Sequence, residues 1–166
     1  MYTIKLWLRT PALYQCESIL ATIVTKYHTL LTVSLNGIHR LEDNAVRRLA
    51  MHCPYLHTLS LTACRRDWRC IHVQDTGLNM LAERCKYLQS LTFIFPKECH
   101  STLTMTSFVA FIAECNALTH IHINCPDINQ EHLLYELDVK LGLKSRSVDM
   151  FVRNQINRLW DYIAQN

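Results

Sequence analysis

An α/β solenoid is the fold this sequence predicts, and two observations carry that expectation. The first is a recurring phrase. Cys53, Leu56, Leu59 and Leu61 spell C-x-x-L-x-x-L-x-L, and the skeleton returns at Cys85, Leu88, Leu91 and Phe93, then at Cys115, Leu118, Ile121 and Ile123. An upstream copy, Tyr27, Leu30, Val33 and Leu35, has tyrosine in the cysteine slot. Successive copies lie 26, 32 and 30 residues apart, and such a period headed by L-x-x-L-x-L marks a leucine-rich solenoid. The second observation is a switch of apolar period within each copy. Alternation by two at Leu59-Ser-Leu61 or Ile121-His-Ile123 gives way to helical spacing further on, as expected of short strands followed by helices.

Along the chain, Leu6 and Leu8 read as the first inward strand pair, the counterpart of Val33 and Leu35. Ile19, Leu20, Ile23, Val24 and Tyr27 form the stripe of a first helix, and Val46, Leu49, Ala50 and Cys53 that of a second. Leu78, Leu81, Ala82 and Cys85 repeat it, as do Phe108, Phe111, Ile112 and Cys115. Asp43 and Asp75 open the second and third helices, where a carboxylate can accept from free backbone N–H groups and oppose the dipole. The inward strand pairs between them are Leu59 and Leu61, Leu91 and Phe93, and Ile121 and Ile123. A single strand–helix unit cannot bury its own stripe, so neighbours must stack and share a core. Right-handed crossovers then give a right-handed horseshoe with a parallel sheet on the concave side and helices on the convex side.

Towards the C-terminus, residues 128–137 keep a helical period without the repeat phrase. Ser147 then precedes Val148, Phe151, Val152, Ile156, Leu159, Trp160 and Ile163, an amphipathic helix with a candidate N-cap. The expected organisation is a solenoid of about five units over residues 1–140, the first unit incomplete, and a capping helix over residues 141–166. A partner-binding helix displaying Trp160 is the alternative, and closing the core needs no partner.

In its best copy the repeat continues past the strand with Cys64, Asp75, Gly77, Leu78, Leu81, Ala82 and Cys85. This resembles the cysteine-containing class of leucine-rich repeats, typified by the C-terminal domains of F-box substrate receptors of ubiquitin ligases, over residues 15–125. Neighbouring copies depart from that pattern: Ala45 stands where the glycine precedes Val46, Phe93 replaces a strand leucine, and no cysteine follows that strand before Cys99. The resemblance implies a protein-interaction module that recognises a ligase substrate. Its partners would be a protein target and, through an N-terminal region, other ubiquitin-ligase subunits. The F-box itself has no counterpart in this chain. That gap keeps open a free-standing scaffold or competitor without a ligase connection.

Bulk properties narrow the classes further. Hydrophobic residues make up 49% of the chain, with three glycines and four prolines, which argues against disorder. A net charge of +3 is too mild to point to nucleic acid. No run of 18 apolar residues exists, so no membrane helix is expected. Of the eight cysteines, Cys53, Cys85 and Cys115 each close a helix stripe and so read as buried free thiols. That usage fits a reducing compartment, cytoplasm or nucleus.

Two surfaces are candidates for binding. Residues beside the inward leucines face the other side of the sheet: Lys5, Trp7 and Arg9, then Thr32, Ser34 and Asn36, then Thr58, Ser60 and Thr62, Ser90, Thr92 and Ile94, and His120, His122 and Asn124. The second is the long segment 63–74, where Arg65, Arg66, Asp67, Trp68 and Arg69 combine cations that pair with carboxylates or phosphates and a ring that stacks. Phe95 to His100 would extend the same rim. A phosphate- or nucleic-acid-binding role for Arg65, Arg66, Arg69 and Lys97 is the weakest alternative, and it would bring a steep salt dependence. His120-x-His122-x-x-Cys125 and Cys64-x5-Cys70-x-His72 gather ligand types without the C-x-x-C spacing of structural zinc. No nucleophile, Walker or metalloprotease motif occurs, so neither enzyme activity nor a metal or cofactor is expected.

Overall fold

A computed structural model describes residues 2–7, 16–38, 40–63, 70–95, 103–124 and 135. Strand β1 (Tyr2–Trp7) is followed by helix α1 (Cys16–Lys26), β2 (Leu30–Ile38), β3 (Arg40–Glu42) and α2 (Asp43–His52). Then come β4 (Thr58–Ala63), β5 (Cys70–His72), α3 (Asp75–Arg84), β6 (Ser90–Ile94), α4 (Met105–Glu114) and β7 (His120–Asn124). Strands β1, β2, β4, β6 and β7 form one sheet in that order, every pair parallel. The helices stack alongside in sequence order, α1 on α2, α2 on α3 and α3 on α4. This is the leucine-rich repeat solenoid the period predicts.

The cysteine-headed phrase is a compact turn. In three copies the cysteine N–H closes the helix, donating to Leu49, Leu81 or Phe111 at 2.9 Å. The cysteine carbonyl then accepts from the leucine three residues on, at 3.1–3.2 Å. This pins the distance from helix end to strand start, so successive strands enter the sheet in the same phase. Val33 aligns with Leu59, Leu59 with Leu91 and Leu91 with Ile121. All four are buried together with the helix stripes in one core.

Four details depart from the sequence expectations. The inward counterparts of Val33 and Leu35 are Ile4 and Leu6, not Leu6 and Leu8. The segment 63–74 contains a strand, β5, which pairs in parallel with β3 as a separate two-stranded sheet. Tyr27 does not bury as the cysteines do: it is 38% exposed and meets Tyr2 edge-on, ring centroids 5.3 Å apart. A phenol is too large for a thiol-sized slot beside the turn.

The fourth concerns the helix openings. Asp43 and Asp75 do begin α2 and α3, yet the residues capping those helices, Glu42 and Gln74, make no side-chain cap bond. The carboxylates reach across to the next repeat instead. Asp43 Oδ1 accepts from the backbone N–H of Gln74 at 2.9 Å and of Gly77 at 3.0 Å, and Thr76 Oγ1 donates to Asp43 Oδ2 at 2.6 Å. Asp75 likewise accepts from the Thr104 N–H and hydroxyl, each at 2.8 Å. Each aspartate thus satisfies the first free donors of the following helix, at the positive end of its dipole.

Gly37 has the one left-handed backbone among the described residues, φ 77°. It lies where the β2–β4 register shifts between Asn36 and Ile38, an irregularity that a residue without Cβ accommodates. Ile38 is thereby returned to the core.

Candidate interaction surface

The five-stranded sheet has one face against the helices and one turned away. In β4 the buried side chains Leu59, Leu61 and Ala63 alternate with part-exposed Thr58, Ser60 and Thr62. The same alternation in β6 leaves Ser90, Thr92 and Ile94 part-exposed. In β2 it leaves Thr32, Ser34 and Asn36, and in β7 His120 and His122 are accessible.

Parallel register turns these positions into straight rows across the strands. One row runs Thr3, Thr32, Thr58, Ser90, His120. The next runs Lys5, Ser34, Ser60, Thr92, His122, and a third begins with Trp7 and Asn36 and passes through Thr62 and Ile94. With strands about 4.8 Å apart, the face is a lattice of hydroxyls edged by Trp7 at one register position and by two histidines at the far strand. Asn36 Nδ2 donates to Ser34 Oγ at 3.4 Å, and Thr119 Oγ1 meets His120 Nδ1 at 2.8 Å.

The structure therefore brings Trp7, Ser34, Thr58, Ser60, Thr92, His120 and His122 to positions on one sheet face. The expected pairing of β1 is shifted by two residues: Lys5 lies beside Ser34 and Trp7 beside Asn36. A shift by two preserves the face. Arg65, Arg66, Trp68 and Arg69 lie outside the described residues, as do Arg9, positions 96–100 and the predicted cap over 141–166. Phe95 does not extend a binding rim; it is buried and stacks on Phe93 at 5.6 Å. Among the described residues no group of three His, Cys, Asp or Glu side chains gathers to hold a metal ion.

One feature escaped the sequence reading. At the helix-to-strand turns, Tyr55 and Tyr87 are more than half exposed and stack at 5.9 Å, with His57 a further 6.2 Å from Tyr87. The signal was present in Cys53-Pro-Tyr-Leu56 and Cys85-Lys-Tyr-Leu88, where tyrosine fills the same slot twice. Beneath that rim the thiols form their own ladder. Cys85 Sγ donates to the Cys53 carbonyl at 3.5 Å, and Cys53 Sγ points to the Tyr27 carbonyl at 4.0 Å. Burial pushes the Cys53 thiol up to about 11 and the Cys85 thiol up to about 12, the latter with help from the neighbouring Cys53 and Cys115. Both are structural rather than reactive groups.

No protein-family model matches the chain, and no curated protein matches it in sequence. Among solved structures it is similar to a chain in the crystal structure of the Rad7 and Elc1 complex in yeast, with a TM-score of 0.52 and 17% identity. The likeness covers 77% of this chain and 33% of that one, so the chain spans about a third of the length of the protein it matches. At that identity the likeness bears on the fold. No helix among the described residues is long and apolar enough to cross a membrane.

Proposed function

We propose that this chain is a protein-interaction module with no chemistry of its own, and that it serves as the substrate-recognition repeats of an F-box-type ubiquitin ligase receptor. The observation that carries the binding role is the outward sheet face. Five parallel strands set hydroxyls, an amide and two histidines in straight rows across one face. Such groups are held by rigid strands and can exchange water for a partner at little conformational cost. The ligase connection draws on the cysteine-containing repeat pattern and on the shared fold with a protein crystallised in complex with Elc1. The buried thiols Cys53, Cys85 and Cys115 suit a reducing cytoplasm or nucleus.

The test is affinity capture from lysate with the chain, with a Ser60→Trp, Thr92→Trp variant that fills the face sterically, and with Arg47→Ala on α2. A specific target recovered by the parent and by Arg47→Ala, lost with the tryptophan pair and accompanied by ubiquitin-ligase subunits, is the expected result. A target retained by the tryptophan pair would remove the sheet face from the reading, and a target without ligase subunits would leave a free-standing scaffold.

A further inference from the structure

A pair of histidines meets between the first two repeats, at their helix-to-strand turns. His28 follows Tyr27 in the turn after α1, and His52 is the last residue of α2. Their ring centroids are 5.9 Å apart and the planes are inclined by 36°. His28 is exposed and His52 half-buried, so water reaches both. The same two slots recur further on. Lys86 follows Cys85 and Glu114 precedes Cys115, and these two form an ion pair at 3.7 Å. Stacking of the repeats thus brings the residue after one cysteine slot to the residue before the next, and the first such junction holds two imidazoles.

An imidazole that holds zinc through a ring nitrogen at about 2.0–2.1 Å has its centroid about 3.2 Å from the ion. Two such rings on one ion are then about 5.2 Å apart at a tetrahedral angle, and about 6 Å apart when that angle opens to about 140°. The observed 5.9 Å lies in this range, so one ion can reach both rings without movement of the backbone. Lys26 and His52 already place basic groups in the last turns of α1 and α2, where the negative ends of the helix dipoles favour positive charge. Imidazole is a ligand for zinc, copper or nickel, whereas calcium and magnesium take oxygen. We infer that His28 and His52 form a two-imidazole site for a divalent transition-metal ion, with water in the remaining positions, and that the ion clamps the first repeat to the second. Asp43 and Asp75 tie the later helices together. Between α1 and α2 there is a cleft lined by Leu20, Ala21, Asn44, Ala45 and Arg48, and an ion at the helix ends would brace that junction.

NMR of the histidine rings in the full chain, titrated with Ni2+ alone, tests the site, because the paramagnetic ion broadens the signals of the rings that hold it. His28 and His52 should broaden together, at less than one ion per chain and before His57 or His120, and EDTA should restore them. His28→Gln and His52→Gln should each weaken Ni2+ binding at the remaining ring by roughly tenfold or more, since the second ligand no longer acts at high effective concentration. His57→Gln should change nothing. Both imidazoles are accessible, so circular dichroism of the two glutamine variants should match the parent. Broadening of one ring without the other, equal broadening of every histidine, or no broadening would overturn the site, as would single variants that bind Ni2+ like the parent. Amide exchange tests the clamp separately. Protection around His28 and in the last turn of α2 should rise with Ni2+ in the parent and not in His28→Gln, and unaltered exchange in the loaded parent would overturn the clamp.

Discussion

Asp43 and Gly77 belong to successive repeats, and one carboxylate oxygen binds them together. Asp43 Oδ1 accepts the Gly77 N–H at 3.0 Å, and a Cβ placed on Gly77 would stand 2.3 Å from that same oxygen and 3.2 Å from Val46 Cβ. The glycine of the Asp-x-Gly-Leu phrase is therefore there for close approach, since its backbone is not in the left-handed region.

Gly77→Ala should consequently destabilise the fold by about 1–3 kcal/mol, as overpacking does, although alanine is the better helix former. Asp43→Ala removes both the clash and the cap, so the two changes should be less than additive in a double-mutant cycle. Urea unfolding of the four proteins measures this. Strict additivity would mean that the carboxylate and the glycine do not interact.

The aspartates also show where sequence reasoning stops. The solenoid, its helix stripes and the polar sheet face were legible because all three are periodicities, and a period survives small errors of phase. What Asp43 binds is not periodic within its own helix; its partners, Gln74, Thr76 and Gly77, lie a full repeat away. The run of alternating apolar residues around Leu6 offered two inward pairs, and only pairing with β2 selects Ile4 and Leu6. Strands β3 and β5 have three residues each, too few to carry an alternation. The candidate face was found because alternation by two assigns it. The stacked Tyr55 and Tyr87 were not legible in the same way, because each is a single residue in a turn with no alternation, and only the stacking of successive repeats brings the two rings together.

Thr104 joins two caps. It donates to Asp75 with its hydroxyl and N–H, and its Oγ1 accepts from the Ser107 N–H at 3.3 Å. Thr104→Ala should cost about 1 kcal/mol, the usual worth of an N-cap, whereas Thr104→Ser should cost far less. Amide exchange at the first turn of α4 should accelerate in the alanine variant. Unaltered protection at Ser107 would show that the cap is not holding the helix start.

The elevated thiols make stability depend on alkaline pH. An unfolded cysteine ionises at about 8.5, while Cys53 and Cys85 in the fold hold their protons to about 11 and about 12. Above about pH 8.5 the unfolded chain releases protons that the folded chain retains, so stability falls as pH rises. This contribution is fully present below the unfolded value and is lost on the way up to the folded ones. The urea midpoint should decline above about pH 8.5 more steeply in the parent than in a Cys53→Ala, Cys85→Ala pair. Parallel declines would exclude the thiols as the source. Iodoacetamide should label neither cysteine until the chain unfolds.

The thiol ladder also sets what serine would do in its place. A hydroxyl at position 85 would not be an orphan, because the Cys53 carbonyl already accepts from Cys85 Sγ at 3.5 Å. Serine keeps a donor but loses the larger, apolar sulfur from a fully buried site. Cys85→Ser should therefore cost about 1 kcal/mol, the low end of the penalty for burying a hydroxyl. Cys85→Val keeps apolar bulk but removes the donor and leaves the Cys53 carbonyl without that contact. If the thiol acts only as a small hydrophobe, valine will be the milder change in urea unfolding. If the bond to the preceding repeat matters, serine will be, and the cysteine slot is then a link between repeats as well as a filler.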